Sequence, residues 1–247
     1  MRILCLSCEA LARMVYYCAA LSPHIVDVEI VKLGLHNTPT LLRDTLQARI
    51  EALEGAGYDA IVLGYGLCGK STYGVKARQI PVVLPRAHDC ITLFLGGRDR
   101  YKEEFERQPG TYWYALDYIQ RREDGGTVLS LGASDFASDL QKTYDEYVER
   151  FGADNAQYLM SVMGAWQKHY QRAVYVDVGV GDGSQAEDLA RRDAQEHGWF
   201  FEKMAGNLLL VRKLLFGEWD DDFLVLQPGE HIEMTFDEQI IHGLRDG

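Results

Sequence analysis

The sequence predicts an α/β fold: two Rossmann-like lobes with mainly parallel sheets and a cleft between them. Three observations carry that prediction. Short apolar, β-branched runs (Ile3–Leu6, Ala60–Leu63, Ile80–Leu84) read as strands buried on both faces, as in parallel sheets. Stretches of helical period alternate with them, and a β-α-β-α-β order implies right-handed crossovers. The periodicity then changes between Gly96 and Gly126 and the α/β rhythm returns past residue 172. Asp124-Gly125-Gly126 marks the boundary, so one lobe is expected over residues 1–125 and a second over 126–247.

Taken in order, strand one runs to Leu6, and Glu9 to Ala20 follows as a helix with Leu11, Met14, Val15 and Cys18 on one stripe. Ile25–Leu33 is strand two, alternating Val26, Val28 and Ile30 with Asp27 and Glu29. A polar loop through His36 and Pro39 leads to an amphipathic helix from Thr40, a capping residue, to Leu53. Strand three, a glycine-containing crossover and strand four complete the first lobe's alternation. Arg98–Arg107 is a short charged helix. Thr111-Tyr112-Trp113-Tyr114 reads as a strand over a core, with an aromatic wall beside a ligand as the alternative. Helices are expected over 135–151 and 154–171, a strand over 173–178, a helix over 184–196, a strand over 199–203, a helix over 207–216 and a last strand over 223–226. A partly polar tail follows Pro228-Gly229.

Composition bounds the partners. The chain has 247 residues, 47% hydrophobic and 25% charged, with a formal net charge of −12. That surplus of carboxylates argues against nucleic acid, because phosphate neutralisation needs a basic face. No apolar run reaches the ~20 residues of a membrane helix. The N-terminus reads as a strand rather than a signal peptide. Five cysteines, an odd number at low density, suit a reducing cytosol, so a cytoplasmic protein is expected. Oligomeric state is left open.

The sharpest signal is three strand ends that each deliver a cysteine. Ile3–Leu6 leads into Ser7-Cys8-Glu9, the third strand into Gly64-Tyr65-Gly66-Leu67-Cys68-Gly69, and the fourth into Pro85-Arg86-Ala87-His88-Asp89-Cys90. Ligands of open α/β sheets bind beyond the carboxyl ends of strands. Strands one, three and four are the most apolar, so they are expected side by side at the centre, with Cys8, Cys68 and Cys90 in one cleft. Three thiolates suit zinc with an open fourth position, or a [4Fe-4S] cluster with one open iron. Cys8, at the start of a helix, is expected to favour thiolate. His88 and Cys90 point the same way on an extended segment, which makes His88 a fourth ligand or a proton donor. Arg86 and Lys70 can lower nearby thiol pKa values or receive an anionic substrate. The glycines around Tyr65 permit a tight backbone at the site. Against this stands the plain reading of three unrelated, half-buried cysteines; Cys5 and Cys18 read as small core residues.

Two glycine loops are weaker signals. Gly64 to Ser71 satisfies the bare G-x-x-x-x-G-K-S pattern, but Tyr73-Gly74 interrupts the helix a phosphate loop requires, so nucleotide hydrolysis is disfavoured. Asp177-Val178-Gly179-Val180-Gly181-Asp182-Gly183 imitates the loop of adenosylmethionine-dependent methyltransferases, yet only 64 residues follow. A strand-to-helix turn lining the cleft is the favoured reading, with Gly179 and Gly181 able to present amides to an anion. No Ser-His-Asp arrangement is present, and His24, His169, His197 and His242 have no suggestive neighbours.

Several of these segments together, Leu35-His36-Asn37 with Pro39, Tyr65 to Gly69, Pro85 to Ile91, Pro109 to Tyr112 and Gly217-Glu218-Trp219, resemble the bacterial and archaeal family of domain of unknown function 1638. Members are often found in anaerobes near corrinoid-dependent methyl-transfer systems. The resemblance thus implies one-carbon metabolism by association, with corrinoid methyl-transfer proteins as partners. Two functions stay open: a metal-dependent protein built on Cys8, Cys68 and Cys90, or a non-catalytic accessory protein that binds a small molecule or cofactor. Whether there is turnover is likewise open.

Overall fold

A computed structural model describes residues 1–121, 170–235 and 237–245. The expected helices over 135–151 and 154–171 lie outside the described residues, apart from the last two positions. The fold is mixed α/β with a mainly parallel central sheet. Its first half comprises β1 (Arg2–Cys8), a 3-10 turn (Glu9–Leu11), α1 (Ala12–Leu21), β2 (Ile25–Val31), a second 3-10 turn (Leu33–Asn37), α2 (Pro39–Ala52), β3 (Ala60–Gly64), β4 (Val82–Pro85), α3 (Cys90–Leu95), α4 (Arg98–Arg107), β5 (Thr111–Ala115) and α5 (Leu116–Gln120). The second half adds β6 (Arg172–Asp177), α6 (Ser184–His197), β7 (Phe200–Ala205), α7 (Leu209–Phe216), β8 (Phe223–Leu226), β9 (Glu230–Met234) and β10 (Ile241–Arg245).

The central sheet has the order β2-β1-β3-β4-β8. The first three pairs are parallel and β8 joins β4 antiparallel. Strands β1, β3 and β4 are therefore adjacent and central, as their uninterrupted apolar runs require: β3 and β4 are buried along their whole length. Beside β1, the edge strand β2 is only partly covered, which matches its alternation of valines with Asp27 and Glu29. Cys5 and Cys18 are core residues, 0% and 2% exposed. The α2 helix starts one residue before Thr40, at Pro39, because proline is preorganised for the first helical position and lacks only an N–H that would be unpaired there.

A second, three-stranded parallel sheet runs β5-β6-β7. One face (Trp113, Ala115, Val174, Val176) joins the core of the central sheet. The other (Tyr112, Tyr114, Tyr175) carries α6, whose Ala186, Ala190 and Ala194 form a small-residue stripe at helical spacing. The aromatic run 111–114 is thus a strand buried on both faces. These sheets do not divide the chain at residue 125: β5 precedes that position yet pairs with β6, and β8 follows it yet closes the central sheet. Local patterning specifies a strand but not its partner.

The crossover from β3 to β4 holds no helix, in keeping with the interruption at Tyr73-Gly74. Residues 65–81 are irregular and pair instead with the C-terminal segment, through Gly74 N–H to Ile232 O (2.8 Å), Ile232 N–H to Val75 O (2.9 Å) and Ala77 N–H to Glu230 O (2.9 Å). The tail after Pro228-Gly229 is the antiparallel hairpin β9–β10. No helix of the described residues is long and apolar enough to cross a membrane.

Candidate functional site

The carboxyl ends of β1, β3 and β4 lie level because of their register. Ser7 pairs with Gly64, and Val62 with Val83. A Cβ on Gly64 would stand 2.3 Å from Ser7 Oγ, so only glycine lets β1 and β3 close at this edge. Beyond the strands the two cysteine loops run side by side. Leu67 N–H donates to Ala87 O (2.8 Å) and Cys68 N–H to His88 O (2.9 Å). Gly66 makes this approach possible, since a Cβ there would meet Asp89 N at 2.8 Å and Ala87 O at 2.9 Å. Cys68 is then forced into the left-handed region (φ 45°), followed by Gly69 and Lys70 with positive φ. For a non-glycine residue that conformation costs roughly 1–2 kcal/mol, so the surrounding bonds must hold it. One of them is Ser71 Oγ donating to Cys68 O (2.7 Å).

The structure brings the three thiols into one electrostatic cluster. The amides of Gly66 and Cys90 point at the Cys68 sulfur, and Cys8 and Asp89 raise its pKa on top of the dominant effect of burial. Burial, then Asp89, Cys68 and Cys8 push the Cys90 thiol well above its ordinary value. Cys8 is pushed up to about 11, chiefly by burial, against the opposing pull of the Ala10 amide. The expectation of a Cys8 thiolate is therefore corrected: the end of a three-residue 3-10 turn stabilises charge less than burial in the core opposes it. Beside Cys8 and Cys68 sits Tyr65, 2% exposed, whose pKa rises through burial and through those two thiols. Its hydroxyl has no hydrogen-bond partner among the described residues. Cys68 and Cys90 remain partly exposed, so the cluster is open to solvent on one side. Among the described residues, no group of three His, Cys, Asp or Glu already stands in metal-ligating geometry.

Other residues singled out in the sequence go elsewhere. Lys70 is exposed at the apex of the Cys68 turn. The Arg86 guanidinium donates through Nη1 to the carbonyls of Gln239 and Ile241, tying the end of β4 to the C-terminal hairpin. Cys90 is the first residue of α3 rather than part of an extended segment, which removes the argument that aligned it with His88. The His88 ring faces Tyr101, with centroids 6.0 Å apart, and lines a cavity of about 590 Å³ between α4 and residues 237–240. Burial holds its pKa below the ordinary histidine value. Gly179 and Gly181 lie past the end of β6, at the second sheet. The Gly179 amide donates to Asp177 Oδ1 (2.8 Å), and Gly181 packs against Arg13 and Leu116.

Two residues contribute in ways the sequence did not assign: Asp89, expected only to flank the cysteine loops, and Tyr101. Asp89 caps α3 by accepting from Ile91 N–H (2.9 Å), and burial raises its pKa to about 6. Its position before the run Cys-Ile-Thr-Leu-Phe-Leu was the available signal, an N-cap residue ahead of apolar periodicity. Tyr101, from α4, donates to Asp89 Oδ2 (3.3 Å), a contact between elements that no local pattern encodes.

A mainly parallel α/β protein with a clustered set of thiols at the carboxyl edge of its central sheet is the class that fold and site define. The chain belongs to the family described as protein of unknown function, DUF1638, whose model matches residues 30–215 and so spans Tyr65, Cys68, His88 and Cys90. Neither the curated proteins nor the solved structures contain a match to the chain.

Proposed function

We propose that the protein binds zinc or an iron–sulfur cluster through Cys8, Cys68 and Cys90, and that it serves corrinoid-dependent one-carbon chemistry. The observation that carries the metal reading is that three thiols at the ends of three adjacent strands influence one another, beside a buried tyrosine hydroxyl that has no partner among the described residues. Metal binding releases the thiol protons, and the ion's charge compensates the thiolates that burial otherwise disfavours. Three protein ligands leave a coordination position open for a substrate. The link to corrinoid partners rests on the family's associations alone.

The test is elemental analysis and absorbance of protein purified anaerobically, beside Cys68→Ser. The reading expects stoichiometric zinc, or iron with sulfide, in the wild type and loss in the variant. Bound metal should also raise thermal stability, because a ligand that binds only the folded state shifts the unfolding equilibrium. Metal-free wild type that takes up neither zinc nor a reconstituted cluster would refute the proposal.

A further inference from the structure

The cavity beside His88 has a composition of its own. One wall is a series of rings: His88 to Tyr101 at 6.0 Å, and Tyr101 stacked on Phe105 at 6.2 Å with 13° between planes. Phe105 is 55% exposed, an aromatic face with solvent over it. At the inner end stands Thr92, 0% exposed, whose hydroxyl has no hydrogen-bond partner among the described residues. Native structures rarely leave a buried hydroxyl unmatched, and such a group facing a cavity favours an occupant that pairs with it.

Charge narrows the class of occupant. The cations at the rim are already engaged: Arg98 with the Glu238 carbonyl (2.7 Å) and the Asp222 carboxylate (3.3 Å), Lys102 with the Glu238 carboxylate (3.7 Å). An anionic ligand driven to the Thr92 end would lose hydration and meet the carboxylates of Asp99, Asp237 and Glu238, with both rim cations already paired, which costs more than a group without negative charge pays there. At about 590 Å³ the space suits a small organic molecule rather than an ion.

We propose that this cavity binds a planar, ring-containing molecule without negative charge, stacked on Tyr101 and Phe105 and hydrogen-bonded to the Thr92 hydroxyl. Offset stacking uses the exposed ring face, and a carbonyl or amide group completes the bonding of Thr92. Tyr101 also donates to Asp89, so such a ligand lies against the loop that carries Cys90. The inference stands apart from any metal at the thiols.

The test uses ligand-observed NMR on the full chain with benzamide, benzoate and benzamidinium, three rings of similar shape and different charge. Saturation transfer to benzamide and benzamidinium is expected, weaker by roughly fivefold or more for benzoate, a difference of about 1 kcal/mol. Phe105→Ala, at an exposed position, and Thr92→Val should each remove most of the benzamide signal, and Thr92→Ser should keep it. If Thr92→Val fails to fold, Phe105→Ala still decides. Cys68→Ser should leave the signal unchanged, which separates this site from the metal site. The proposal is overturned by no benzamide signal, by equal signals from benzamide and benzoate, or by a signal indifferent to Phe105→Ala.

Discussion

The main-chain N–H of Cys68 donates to the carbonyl of His88 across 2.9 Å. That bond continues the pairing of β3 and β4 past the ends of both strands and sets two cysteine loops in register. Cys68 is thereby placed where its sulfur meets the Cys90 amide, and His88 is turned toward α4 and the cavity. Metal reading and ring-binding reading depend on one pair of aligned loops.

Gly66 is the position on which that alignment rests. A Cβ there would stand within 3 Å of three backbone atoms of the opposing loop, and backbone cannot yield as a flexible side chain can. Gly66→Ala should cost about 1–3 kcal/mol, the range for forcing extra volume into a packed site. It should also raise the rate at which a thiol reagent modifies Cys68 and Cys90. Denaturant melts and timed thiol titration measure the two effects; wild-type values for both would show that the loops separate freely.

The strands most legible in the sequence were those buried on both faces, because an unbroken apolar run needs no partner to be recognised. Residues 60–63 and 223–226 are such cases, and the charged helix 98–107 was legible from its period. Pairing was legible only for the apolar trio β1, β3 and β4. Nothing local tells Phe223–Leu226 to join β4 rather than β6, and the hairpin β9–β10 hides in a segment of mixed polarity. The same division holds at the site. Cys8, Cys68 and Cys90 could be assigned to one sheet edge because each follows its own strand. The cavity could not be foreseen, since its walls come from residues 88–105 and 237–240. Lys70, Arg86, Gly179 and Gly181 were singled out by loop composition, which does not report where a side chain turns.

Asp177 should give a defined acid limb to stability. The Gly179 amide and then Lys203 hold its carboxyl below the ordinary aspartate range. A carboxyl depressed in the folded state contributes stability above its unfolded pKa of ~3.9 and loses it as pH falls through the lower folded value. Wild type should therefore lose stability more steeply between pH 5 and 2.5 than Asp177→Asn, by denaturant melts at matched ionic strength. Parallel pH profiles would show that the turn does not depend on this charge.

Arg172 joins the helix that walls the cavity to the second sheet. It is 4% exposed and pairs with Glu104 of α4 and Glu202 of β7, each at 2.8 Å. Removing one partner of a buried ion pair leaves the others uncompensated, at a cost of about 3 kcal/mol or more. Arg172→Met should show that loss in denaturant melts and should weaken benzamide binding, because α4 loses its anchor. A loss below about 1 kcal/mol would place the pair with weakly coupled surface bridges.

Tyr65→Phe separates a structural tyrosine from one kept for a ligand. The hydroxyl is buried and has no partner among the described residues, so folding desolvates it with no bond in return. Deleting the oxygen should then leave stability unchanged or raise it by about 1 kcal/mol, since the ring still fills its place. On the metal reading the hydroxyl gains a partner at the occupied site, and donors around a metal's ligands tune affinity and potential. Tyr65→Phe should therefore weaken metal retention about tenfold, the lower end for loss of such a partner, while the melting temperature of the metal-free form holds or rises. Opposite signs in the two measurements are the signature of a hydroxyl kept for the bound state. A fall in metal-free stability, with metal retention unchanged, would make Tyr65 a core residue and remove it from the site.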